Sequence, residues 1–305
     1  MSTVVQVILA CRSEAEAGSK LAMLKTERGN VQASFLQIDL ARFAQRSTLR
    51  SGWKWVLSSL TSVQRAARQF LLVHSKLDFL VLNAGTFPQA YSLTEDSLET
   101  MMQVFQFHAV IQYKLLYKIN FKVNFLSHLY LASLLTSALS KATSSRIAIL
   151  SSESHRFCPP LLPSSLLFSP GPIGFSAQVQ YNKSKLCCLL LAPLLTRHFG
   201  NIGVTALAVH PGNLLPSYLH RHSWFYWAAS SFLRPWTKSL AQAAASVVMA
   251  LLGEEFPKGT IYINNCFPTQ PEKIVSDCKT QDALWDVALE CLEQKMGKGC
   301  CSGQK

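Results

Sequence analysis

The chain has 305 residues, is 49% hydrophobic and carries a formal net charge of +12. That length supports one domain with ample core, and that hydrophobic content excludes a disordered chain. No acid lies between Asp39 and Asp78, between Glu99 and Glu153, or between Glu153 and Glu254, which excludes carboxylate-rich metal sites from the middle of the chain and argues against a Ser-His-Asp triad there.

Periodicity predicts a strand over 4–11, a helix over 14–26 and a strand over 31–39. Basic, helix-like sequence runs on to Ser75, and 77–83 reads as a buried apolar strand. Ser92-Leu-Thr-Glu95 is a capping box that opens a helix. A long helix is predicted over 121–142, with Asn124 near its start, followed by a strand over 146–151. Pro and Ser dominate 158–176, a loop. The helix over 181–199 contains Pro193, which should kink it or end its first half. A strand over 204–210 closes at Pro211-Gly212, and the Ala-rich run 239–253 reads as a packed helix. A short last strand at 261–264 and a helix over 280–295 complete the chain. Strands alternating with helices indicate a parallel α/β sheet in a single domain spanning 1–305.

Tyr181 and Lys185 are the candidate chemistry. Four residues apart, they share one face of a helix, while Asn182 and Ser184 should point elsewhere. A free phenol is a poor base at neutral pH, and a neighbouring ammonium favours the phenolate. Ser152, at the end of an apolar run, can hold a substrate oxygen and stabilise charge developing there. A Tyr and a Lys at this spacing also occur by chance, so their weight comes from their surroundings.

Those surroundings resemble the short-chain dehydrogenase/reductases. Asn83-Ala84-Gly85, Ser151-Ser-Glu-Ser-His-Arg156, Tyr181-Asn-Lys-Ser-Lys185, Val209-His-Pro-Gly-Asn213 and Asn264-Asn-Cys266 follow in that superfamily's order. The runs Ser-Glu-Ser-His-Arg-Phe and His-Pro-Gly-Asn resemble the WW domain-containing oxidoreductase family within it. The resemblance covers about four fifths of the chain and implies a doubly wound, Rossmann-like sheet. It implies Tyr181 as catalytic acid/base, Lys185 as its modulator and ribose contact, and Ser152 as the group orienting the carbonyl. Asn124 would hold the lysine through water. Asn83, Ala84 and Gly85 would support the sheet beneath the cofactor, Asp39 would contact adenine, and Pro211 and Gly212 would lie by the nicotinamide. Arg12, directly after a strand, would select NADP over NAD through the 2′-phosphate. Each has a plain structural alternative: Arg12 a solvated strand end, Asp39 a turn residue, Asn124 part of a helix's polar face.

The chain also departs from that pattern. It starts at what reads as the family's second strand, so the first strand and its Gly-rich phosphate loop, Thr-Gly-x-x-x-Gly-x-Gly, are expected to be missing, and so are the WW domains. The sheet should then carry a gap where two strands would pair. Segments near 42–60 and 105–122 read as insertions, both basic and without acids.

The resemblance and the aromatic run 224–233, read as a lid, imply a small lipophilic carbonyl or alcohol substrate, steroid- or retinoid-like. Contact with a membrane surface is the second reading of that run. The positive residues are scattered and carry no nucleic-acid motif, so no nucleic-acid partner is expected. Nine cysteines without C-x-x-C and without a secretory signal are expected to be reduced, with Cys187 and Cys188 in the core. The resemblance implies the cytoplasm, with mitochondrial or nuclear association, a role in apoptosis, protein partners and a homodimer. Two functions follow from these readings: an NADP-dependent oxidoreductase, or an interaction protein that keeps the oxidoreductase shell without its catalysis.

Overall fold

The computed structural model describes residues 5–11, 14–27, 31–38, 60–85, 122–159, 175–212, 238–253 and 256–301. β1 (Val5–Cys11) and β2 (Val31–Gln37) pair in parallel, with Val5 opposite Val31 and Cys11 opposite Gln37. α1 (Glu14–Glu27) makes the crossover that parallel pairing requires. α2 (Leu60–Val73) leads to β3 (Phe79–Leu82). A π-turn at Lys122–Leu126 runs into α3 (Ser127–Leu134) and the single turn α4 (Thr136–Leu139). β4 (Ser145–Leu150), a 3₁₀ turn (Glu153–Phe157), α5 (Ala177–Phe199) and β5 (Val204–His210) follow. α6 (Leu240–Leu252), β6 (Tyr262–Asn264), β7 (Phe267–Pro268) and α7 (Cys278–Met296) close the described chain.

β3, β4, β5 and β6 are parallel in that order, and β7 adds antiparallel to β6. The described strands therefore form two hydrogen-bonded sheets, ordered β1-β2 and β3-β4-β5-β6-β7. No strand pairing among the described residues joins the two sheets.

The central strands are buried on both faces, as parallel strands beneath helices must be. Ile147 and Ile149 of β4 and Val204, Ala206 and Ala208 of β5 face the layer of α2, α3, α5 and α7. Their neighbours Ala148, Leu150, Leu207 and Val209 face the other way, with Ile263, against Ala250 of α6. This period-two split makes one apolar run serve two cores.

Three expectations are corrected. The long helix over 121–142 is divided: its first turn is π, and Leu135, at φ −97° and ψ 5°, separates α3 from α4. α5 is one helix of 23 residues, so Pro193 does not end its first half. A proline inside a helix costs about 3 kcal/mol, but Leu189, Leu190, Leu191, Leu194 and Leu195 around it are fully buried, each contributing about 1.5–3 kcal/mol. The last strand is also not the last: Asn265 and Cys266, with φ 53° and 70°, turn the chain tightly into β7.

Among the described residues, no helix is long and apolar enough to cross a membrane, and no group of three or more side chains can hold a metal ion.

Candidate active site

The carboxyl ends of β3, β4 and β5 deliver Asn83-Ala84-Gly85, Ser151-Ser152 and His210-Pro211-Gly212 to one edge of the sheet. In open α/β sheets that edge is where ligands bind. α5 and the π-turn add Tyr181, Lys185 and Asn124. Arg12 and Asp39 lie outside the described residues, as do the capping box at 92–95, the aromatic run 224–233 and all but the end residues of the two proposed insertions.

α5 begins at Ser176, whose hydroxyl caps the Val179 amide at 3.4 Å. One turn on, Tyr181 and Lys185 come together: the Lys185 Nζ stands 5.7 Å from the centre of the Tyr181 ring. Both are buried. Lys185 Nζ donates to the Leu150 carbonyl at 2.9 Å, and Ser151 Oγ donates back to the Lys185 carbonyl at 2.8 Å. The end of β4 and α5 therefore hold each other by two reciprocal bonds. A buried ammonium needs such a partner.

Ser152, in extended conformation, caps the 3₁₀ turn that follows it: its Oγ accepts from the Ser154 amide at 3.2 Å. Accepting that bond leaves its own O–H to donate to a substrate oxygen.

Asn124 is buried, and its Nδ2 donates to Ser184 Oγ at 3.0 Å. Ser184 passes the bond on to the Tyr181 carbonyl at 2.8 Å. Ser184 is thus not turned away from the site, as its position between Tyr181 and Lys185 suggests. It ties Asn124 to the helix that carries both. Asn182 does turn away, donating to the Phe157 carbonyl at 3.0 Å.

Gly85 closes the site from below. A Cβ there would lie 3.5 Å from Asn124 Oδ1 and 3.6 Å from Lys185 Nζ, so both side chains converge on this stretch of backbone. Gly212 has φ +125°, where a side chain is strained, and a Cβ would meet Lys238 at 2.8 Å. His128, one turn beyond Asn124, is fully buried, and burial with the Lys185 charge lowers its pKa to about 3. It is a neutral imidazole at physiological pH.

A second polar cluster anchors the turn after Ser152. Glu153 accepts from Tyr262 at 2.7 Å, Asn264 at 2.9 Å and Arg156 at 2.7 Å. Arg156 also donates to Glu272 at 2.6 Å. His155, buried edge-on against Tyr262, bonds the Ser152 carbonyl through Nδ1. Its Nε2 lies 2.7 Å from Glu272, at ion-pair distance though off the line of a hydrogen bond. Burial would raise the Glu153 carboxyl, but the bonds from Tyr262 and Arg156 outweigh it and hold its pKa below the usual 4.5.

Sequence reasoning missed the roles of Ser151 and Ser184 and the Glu153 cluster, while Cys187 and Cys188 lie in the core as expected. Only period-two alternation along β4 separates the inward Ser151 from Ser152, and two of the three Glu153 partners, Tyr262 and Asn264, lie more than a hundred residues away.

A parallel α/β sheet with this Tyr-Lys-Ser-Asn edge is the arrangement of a short-chain dehydrogenase/reductase, and by its sequence relatives the chain belongs to that superfamily. Its homologues within it are WW domain-containing oxidoreductases. That of Drosophila melanogaster is 36% identical over 296 residues, covering 93% of this chain, and that of Homo sapiens 33% identical over 302 residues, covering 95%. The chain spans 66% and 63% of the length of those two relatives. Mouse retinol dehydrogenase 12 is 28% identical, covering 94% of this chain and 78% of its own. Among solved structures, a short chain dehydrogenase from Salmonella enterica serovar Typhi superposes with a TM-score of 0.54 at 15% identity, over 87% of this chain and 85% of that one. NADPH-bound carbonyl reductase from chicken fatty liver gives 0.53 at 15% identity, over 88% of each. No family model matches the chain.

Proposed function

We propose that the chain is an NADP-dependent oxidoreductase acting on a small lipophilic carbonyl or alcohol, steroid- or retinoid-like. The observation that carries this reading is the fixing of Lys185 beside Tyr181 by Leu150 and Ser151. The described residues fit the nicotinamide end of such a cofactor. Lys185 and Asn124 converge on Gly85, and Gly212 holds the end of β5 at a positive φ that strains any side chain. The cofactor supplies or accepts the hydride.

In the reducing direction, Ser152 donates to the carbonyl oxygen and stabilises the charge that grows there. Tyr181 gives that oxygen its proton. Lys185, held beside the Tyr181 ring, keeps its charge close to the oxygen that gives up the proton. Asn124, braced by Ser184, fixes the wall beside Lys185. In the oxidising direction Tyr181 takes the proton back.

Two relatives support the substrate class. One is named a retinol dehydrogenase, and a structure of the same fold is an NADPH-bound carbonyl reductase. The NADP preference rests on Arg12 after β1. The cytoplasm as location, with mitochondrial or nuclear association, protein and membrane-surface contacts, homodimerisation and a part in apoptosis belong to the same proposal. The second reading, an interaction protein that keeps this shell without catalysis, is favoured by the division of the described strands into two unpaired sheets.

Titration with NADPH and NADH separates the two, followed by turnover of a ketone and retinaldehyde panel by the wild type and Tyr181→Phe. The expected result is saturable binding with NADPH tighter than NADH, and a loss of at least about a hundredfold in turnover in the variant with binding intact. Full turnover by Tyr181→Phe overturns the assignment. A cooperatively folded chain that binds neither nucleotide supports the interaction protein.

A further inference from the structure

Cys188 is completely buried on α5. It stands three residues beyond Lys185 and seven beyond Tyr181, a spacing that puts all three on one helix face. Its Sγ donates to the main-chain carbonyl of Asn124 at 2.8 Å. Burial raises the Cys188 thiol pKa, so the group stays S–H and remains a donor. Asn124 is therefore gripped twice from the same helix. Ser184 takes its side-chain amide at 3.0 Å, and Cys188 takes its backbone.

The place where this grip acts is unusual. Asn124 sits inside the π-turn Lys122–Leu126, a form that is rare, comes in single turns and recurs at functional sites. A π-turn holds its side chains at angles an α-helix would not give. What holds the turn thus sets where Asn124 Oδ1 lies relative to Lys185 Nζ, the two atoms that approach Gly85 within 3.5 and 3.6 Å of a Cβ position.

We infer that Cys188 is a positioning residue: its thiol, with the Ser184 hydroxyl, clamps Asn124 in the π-turn and so fixes the wall beside Lys185. The link to catalysis rests on the oxidoreductase reading, whereas the clamp itself does not. Cys187, the neighbouring buried thiol, supplies the control, because its removal takes away the same volume.

Cys188→Ala, Cys188→Ser and Cys187→Ala are compared with the wild type in two measurements. The first is NADPH-dependent turnover of the ketone panel. Cys188→Ala should lower kcat about tenfold with KM within about twofold, since small misplacement at a site costs rate. Cys188→Ser, which keeps a donor, should restore kcat to within about threefold, and Cys187→Ala should match the wild type. The second is amide exchange over 122–130, followed by mass spectrometry. Cys188→Ala should exchange about tenfold faster there, with Cys188→Ser and Cys187→Ala close to the wild type. Equal behaviour of Cys188→Ala and Cys188→Ser, or of Cys188→Ala and Cys187→Ala, overturns the assignment. If the wild type turns nothing over, the oxidoreductase reading falls and the exchange pattern alone decides the clamp.

Discussion

Adjacent serines at the end of β4 divide structure from chemistry. Ser151 faces inward and donates to the Lys185 carbonyl, while Ser152 faces the site edge and caps the next turn. Ser151→Ala should therefore cost about 1 kcal/mol of stability, the worth of one neutral hydrogen bond, read as a lower urea midpoint. Ser152→Asn should behave differently. Its side-chain oxygen still caps the Ser154 amide, so stability should hold within about 0.5 kcal/mol. Turnover should fall, because the amide NH2 that replaces the hydroxyl sits on a longer, planar side chain and cannot donate from the same place. Equal loss of stability in both variants would contradict the division. The Tyr181–Lys185 pair was legible because helical spacing alone brings the two together. Ser151 and Ser184 were not, since a hydroxyl takes whichever backbone carbonyl the fold brings near, and no sequence spacing encodes that.

The elements were legible to the extent that their burial is periodic. β4, β5 and α5 stood out because their apolar runs are long. The division of the helix over 121–142 did not, because nothing in Lys122-Val-Asn-Phe-Leu126 marks a π-turn; the bonds that reach it, at Asn124, come from α5. The 3₁₀ turn Glu153–Phe157 shows the same limit. It is held by Tyr262, Asn264 and Glu272, all from the far end of the chain. Those contacts give it a pH dependence. The Glu153 pKa is depressed in the folded state by Tyr262 and Arg156, despite burial. The stability this contributes is fully present above the unfolded value of 4.5 and is lost as pH falls below it through the lower folded value. Glu153→Gln removes the titrating group. Its melting temperature should fall less steeply than the wild type's as pH drops from about 5 to about 3. Parallel curves would show that Glu153 carries no such linkage.

For the whole molecule, the sheet break sets where the fold is weak. β4 is paired on both sides, by β3 and β5, and lies in both cores. β1 pairs only with β2, and β3 only with β4, among the described strands. On β3, Phe79 and Val81 share one face and are 42% and 43% exposed. The alternation of strands and helices made the parallel sheet legible, yet pairing across the break could not be read from either segment alone, because it depends on which backbone edges meet. Protection against exchange reports pairing and burial together. Amides of β4 and β5 should exchange only through global unfolding, while those of β1 and β2 open locally. The difference should be at least about tenfold in rate, or about 1.4 kcal/mol in opening free energy. Ligand binding to the folded state would raise protection across every segment that opens with the site. Saturating NADPH should therefore slow exchange at β1 as well as at β4 if the cofactor spans both sheets, and at β4 alone if it touches only the Tyr181 edge. Equal exchange in β1 and β4 without ligand would show that the two sheets unfold as one.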